Sequence, residues 1–131
     1  MAANTSAEVS DAALSLLAQD LDAICQSASN LTTSAFASIA QPAQRAHVPV
    51  FGFLSSDAQN GAVVVTARDF FDGGREAGLM AAQIMRGRSP ASIPFHPLRH
   101  TKLLVNLEAA RAVGLTVPQA VVRRATTVIG K

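Results

Sequence analysis

The chain has 131 residues, 49% of them hydrophobic and 15% charged, a composition that excludes a disordered polypeptide and suffices for one buried core. Eleven Lys and Arg against nine Asp and Glu leave a net charge of +2. The basic residues are scattered, with no run and no aromatic interleaving, which argues against a nucleic-acid partner.

Residues 8–18 carry Val9, Ala12, Ala13, Leu16 and Leu17 at helical spacing and predict a first helix. The apolar run at 21–26 is the size of a parallel strand, and the single cysteine, Cys25, is expected to be buried in it. A polar turn at 27–30 then supplies Ser29 or Asn30 to cap a helix from Leu31, with Phe36 and Ile39 on one face. Pro42 is expected to end or kink that helix near Ala40.

The segment 47–53 reads as a strand, 55–61 as a short helical turn capped by Ser55 or Ser56, and 62–67 as a β-branched strand. Asp72 is the expected cap of a long amphipathic helix with Ala77, Met80, Ala81, Ile84 and Met85 on one face, stopped at Gly87. Pro94 and Pro97 keep 92–100 out of any central strand. Residues 101–107 follow as a strand, with a sheet edge as one reading of its place, then a helix capped by Asn106 and ending at Gly114, then another with Pro118 near its start.

Alternating helices and strands of this length predict an α/β fold, a parallel sheet flanked by helices. Folds of this class bind ligands at the carboxyl ends of their strands. The candidate ligand-binding residues are therefore Ser29 and Asn30 in the first such loop, Ser55, Ser56 and Asp57 in the second, and Asp69 and Phe70 in the third. Hydroxyls, an amide, carboxylates and an aromatic beside helix N-termini suit a small zwitterion, with its carboxylate at free N–H groups and its ammonium at an Asp. The same residue types also cap helices and close turns.

Catalysis finds little support. His47, His96 and His100 are dispersed, with no metal-ligand spacing, no nucleophile elbow and no phosphate loop. No metal, cofactor or catalytic residue is expected. No run of about 18 apolar residues is present, and the N-terminus lacks the basic start of a secretory signal, so neither a membrane span nor a signal peptide is expected within the chain.

Three stretches carry a family resemblance: "VPVFG" at 48–52, "NGAVVVTARDFFDGGREAGLMAAQIMRGRSPASIP" at 60–94 and "LLVNLEAARAVGLTVPQAVVRRATTVI" at 103–129. In order and spacing they resemble the C-terminal part of ABC transporter substrate-binding proteins of the tryptophan and tyrosine type. The resemblance implies a periplasmic-binding-protein-like, two-lobed clamshell, incomplete here. Residues 7–53 would be part of the second lobe, 61–88 a segment returning to the first lobe, and 92–131 the C-terminal crossover strand and helices. It also implies a small-molecule solute as ligand, an ABC permease as partner of the complete protein, and a periplasmic or membrane-anchored extracytoplasmic location.

This sequence departs from the family at two loops. Ala28-Ser29-Asn30 stands where relatives tend to have Thr-Asp-Asn, and Phe53-Leu54 opens a loop that is Ser- and Asp-rich elsewhere. The implied solute is amino-acid-like or less polar. One of Phe70 and Phe71 is expected to wall the ligand while the other packs inward. Open sheet edges predict either a homodimer with exchanged elements or one compact sheet. A ligand-sensing or oligomerising domain of a regulatory protein is the alternative reading.

Overall fold

Parallel pairing dominates the fold. The computed structural model describes residues 3–27, 29–97 and 100–130. Five strands, β1 (Ile24–Cys25), β2 (Val50–Gly52), β3 (Val64–Arg68), β4 (Thr101–Asn106) and β5 (Thr127–Ile129), lie in that order in one sheet. Ile24 pairs with Val50, Phe51 with Val64, and Leu104 with Thr127, all in parallel ladders. Parallel neighbours need crossovers. These are α2 (Asn30–Ser34) with α3 (Phe36–Arg45), then α4 (Ser55–Gln59), and finally α6 (Leu107–Ala112) with α7 (Gln119–Arg124). Helix α1 (Ser6–Leu17) precedes β1, and α5 (Phe70–Met85) lies between β3 and β4.

Two compact units divide the chain: residues 3–67 with 102–130, and residues 68–101. In the first, α3 contributes Phe36, Ala40 and Ala43 to a core with Val50, Ala58, Val65 and Leu104. Fully burying a side chain such as Phe36 stabilises by about 1.5–3 kcal/mol. A second cluster joins Val9 and Ala13 of α1 to Ala35 and Ile39, and a third joins Val63 to Ala109 and Ala110 of α6. Mostly alanine and valine, these cores let helices lie close on the sheet.

The buried amide of Asn106 fastens β4 to two helices. It donates from Nδ2 to the Ala58 carbonyl at 2.7 Å and accepts from the Ala109 N–H at 2.9 Å, the cap of α6.

The second unit is built on α5, whose cap is Asp69 and not Asp72. The Asp69 Oδ1 accepts from the N–H groups of Phe71 and Asp72 at 3.2 and 3.3 Å. Capping by Asp69 places Phe70 and Phe71 in the first helical turn. Asp72 instead meets the His100 ring at 3.0 Å. Gly87 ends the helix with φ +93, a conformation that favours glycine. The Arg88 guanidinium then donates to Gln83 Oε1 and to the Ser92 carbonyl.

Several expectations are corrected. The helix break falls at Ala35, and Pro42 sits inside α3. Burial of Ile39, Ala40 and Ala43 on both sides of Pro42 outweighs the cost of a proline there, about 3 kcal/mol. Residues 127–129 form a strand that their sequence did not announce, and β4 is therefore flanked on both sides. Cys25 is exposed, because β1 is an edge strand of only two residues. The division between the two compact units falls at Arg68 and Thr101, and β3 as far as Ala67 belongs to the first unit.

Candidate functional site

Loop residues beyond β1 and β2 form the polar surface of the first unit. At the end of β1, the Gln26 N–H bonds the Phe51 carbonyl at 3.0 Å, extending the ladder one residue. The Gln26 side chain then turns to Thr32, donating from Nε2 to Oγ1 at 3.2 Å. Its Oε1 is buried with no hydrogen-bond partner. Ser29 and Asn30 are exposed at the start of α2, and Ser29 offers its carbonyl to the Thr33 N–H and the Thr32 hydroxyl. Ala28, part of the same predicted loop, lies outside the described residues.

The loop after β2 is organised by a buried carboxylate. Asp57 is 1% exposed, and its Oδ2 accepts from the N–H groups of Phe53 and Leu54 at 3.1 and 2.9 Å. A Cβ at Gly52 would fall 2.6 Å from the Asp57 Cβ, so a residue without a side chain is required there. Ser55 and Ser56 remain exposed in the first turn of α4. Asp57 thus uses one oxygen to set the backbone of the loop that presents the two serines.

A groove of about 320 Å³ adjoins the β1 loop, lined by Val9, Leu16, Ile24, Cys25, Gln26 and Ser29 among others. That volume lies at the small end of ligand-sized cavities. Cys25, Gln26 and Thr32 were not singled out from sequence as ligand contacts. For Gln26 the available signal was its place as the first polar residue past an apolar run.

Asp69 and Phe70 belong to the second unit. Asp69 serves as helix cap, while Phe70 is 65% and Phe71 81% exposed, so neither ring packs inward. Within that unit a groove of about 610 Å³ lies between α5 and Ile93, Pro94, His96 and His100, with Arg75, Glu76 and Arg88 also on its walls. Sequence reasoning had not assigned these residues to a ligand. The buried Glu76 Oε2 has no hydrogen-bond partner.

Among the described residues, no cluster of His, Cys, Asp and Glu is arranged to hold a metal ion. No helix there is long and apolar enough to cross a membrane.

A family model, ABC transporter substrate binding protein, matches residues 1–129. The chain belongs to this family. Among curated proteins it is 25% identical over 112 residues to a tyrosine-binding protein of Clostridioides difficile strain R20291, across 86% of this chain and 32% of that protein.

Solved structures agree on the fold. A conserved domain protein of Vibrio cholerae superposes with TM-score 0.82 at 30% identity, covering 96% of this chain and 42% of that one. An ABC domain in complex with L-Trp from Streptococcus pneumonia gives TM-score 0.80 at 24% identity over 95% of this chain and 43% of that one. A ligand-free, open substrate-binding protein with adhesive properties from Clostridium difficile gives 0.72, also at 24%, over 98% and 43%. The chain thus spans less than half the length of these relatives. Its fold is that of a periplasmic-binding-protein-like α/β domain.

Proposed function

We propose that this chain is part of the solute-binding component of an ABC importer. The complete protein holds a small amino-acid-like or less polar solute between two α/β lobes, outside the cytoplasm, and delivers it to a permease. The family match over residues 1–129 carries this reading, supported by relatives named for tyrosine and tryptophan. Binding, with no bond made or broken in the solute, is the activity that hydroxyl, amide and aromatic groups can supply.

Ser29, Asn30, Ser55 and Ser56 would contact the solute from the loops after β1 and β2. Asp57 would hold the second loop in place, and Asp69 and Phe70 would act from the segment that returns toward the other lobe. Exposed serines, with Ser29 where relatives tend to have an acid, favour an uncharged or zwitterionic solute over a cation.

Thermal denaturation of the full-length protein across a panel of aromatic and aliphatic amino acids and nucleosides tests the reading. A binder present at about 100 times its Kd stabilises by about 2.7 kcal/mol. A complete protein whose Tm responds to no member of the panel would overturn it.

A further inference from the structure

Gln26 stands where β1 leaves the sheet and its loop begins. Side chains alternate along a strand, so Gln26 shares a face with Ile24, which packs against Val9 and Ala13 of α1 and Ile39 of α3. A half-buried amide on that face needs partners away from bulk water. Its backbone is fixed to β2, with the N–H donating to the Phe51 carbonyl at 3.0 Å. Its side chain reaches the other way, to α2, where Nε2 donates to the Thr32 hydroxyl at 3.2 Å.

That hydroxyl closes the loop from inside. Having accepted from Gln26, it has one hydrogen to give, which faces the carbonyls of Ser29 at 3.2 Å and Ser27 at 3.4 Å. The Gln26 amide thus orients the hydroxyl, because a donor at its lone pair turns its hydrogen toward the loop. The Ser29 carbonyl also accepts from the Thr33 N–H at 3.0 Å, the bond that opens α2. One chain of bonds therefore runs from the β1–β2 ladder through Gln26 and Thr32 to the backbone of Ser29. The side chains of Ser29 and Asn30 remain exposed.

Stability alone does not account for a glutamine at this position. Its Oε1 is buried with no hydrogen-bond partner. A buried carbonyl left unpaired is destabilising, and an apolar side chain of similar length avoids that cost.

We propose that Gln26 and Thr32 are positioning residues for solute binding, holding the backbone of Ser29 and Asn30 in the conformation that meets the solute. The assignment rests on the reading of this loop as a solute contact. At β1 the pair does what Asp57 does at β2, where a buried side chain fixes the backbone of a loop that presents two serines.

Calorimetric titration of the complete protein with L-tyrosine and L-tryptophan, alongside amide hydrogen exchange followed by NMR, tests the proposal. Thr32→Val keeps the shape of the side chain and removes the hydroxyl. It should raise Kd by roughly 5–10-fold, the worth of about one hydrogen bond. It should also speed exchange of the Thr33 N–H by a similar factor, with α1 and α3 unchanged. Thr32→Ser, which keeps the hydroxyl, should restore both. Gln26→Met should raise Kd by a similar factor while the Tm of the unliganded protein stays level or rises.

A Gln26→Met protein that loses Tm and keeps its Kd overturns the proposal and leaves the amide a strut for the fold. So does a Thr32→Val protein with parental exchange, or one with faster exchange and an unchanged Kd. A parent protein that binds neither probe, nor any other amino acid or nucleoside, overturns the solute reading and this role with it. That outcome is told apart from the others because the exchange difference at Thr33 survives it.

Discussion

Replacing Asp57 with alanine separates a residue that builds the β2 loop from one that only lines it. The carboxylate is 1% exposed and accepts two backbone N–H groups, from Phe53 at 3.1 Å and Leu54 at 2.9 Å. Alanine leaves both donors without this acceptor, at about 1–3 kcal/mol for each buried group left unsatisfied. Phe53 and Leu54 are only partly buried, so water recovers some of that loss. Removing a desolvated carboxylate recovers some more.

The expected cost is about 2–3 kcal/mol. At ~4 °C per kcal/mol for a chain of this size, Tm should fall by roughly 8–12 °C. Urea denaturation followed by circular dichroism measures the free energy directly. Ser56→Ala, on the exposed side of the same loop, should stay within about 0.5 kcal/mol of the parent. An Asp57→Ala variant as stable as Ser56→Ala would refute the assignment of Asp57 as the loop's anchor.

Three further outcomes follow from the same geometry. Gly52→Ala should lower stability by about 1–3 kcal/mol in urea denaturation, since its Cβ would overlap Asp57. Asn106→Ala removes a 2.7 Å bond to Ala58 and the cap on Ala109, and should cost about 2–4 kcal/mol, read by the same titration. Cys25, exposed on the edge strand, should react with a thiol reagent in the folded chain at close to the rate seen after denaturation. Protection by tenfold or more would contradict its exposure.

Much of the fold was legible because local signals and tertiary packing agree. The runs at 21–26, 47–53 and 101–107 each contain a strand, 62–67 covers all of β3 except Arg68, and Asn106 caps the helix that its spacing promised. The loops chosen as candidate sites do follow β1, β2 and β3. The division of labour within them was not legible. An Asp at the third position of a helix reads identically whether it faces ligand or turns back to the loop. Only the backbone path of Phe53 and Leu54 directs Asp57 inward.

Information carried by residue order belongs to the sequence alone: the alternation that makes an α/β chain and the ordered motifs that place it in its family. Questions of adjacency were settled by tertiary structure. Burial on both sides of Pro42 keeps α3 helical, since packing exceeds the local cost of proline. The pairing of Leu104 with Thr127 turns an unremarked tail into β5 and moves β4 inside the sheet. Cys25 lies open because a strand's burial depends on its neighbours, and β1 has one on only one side.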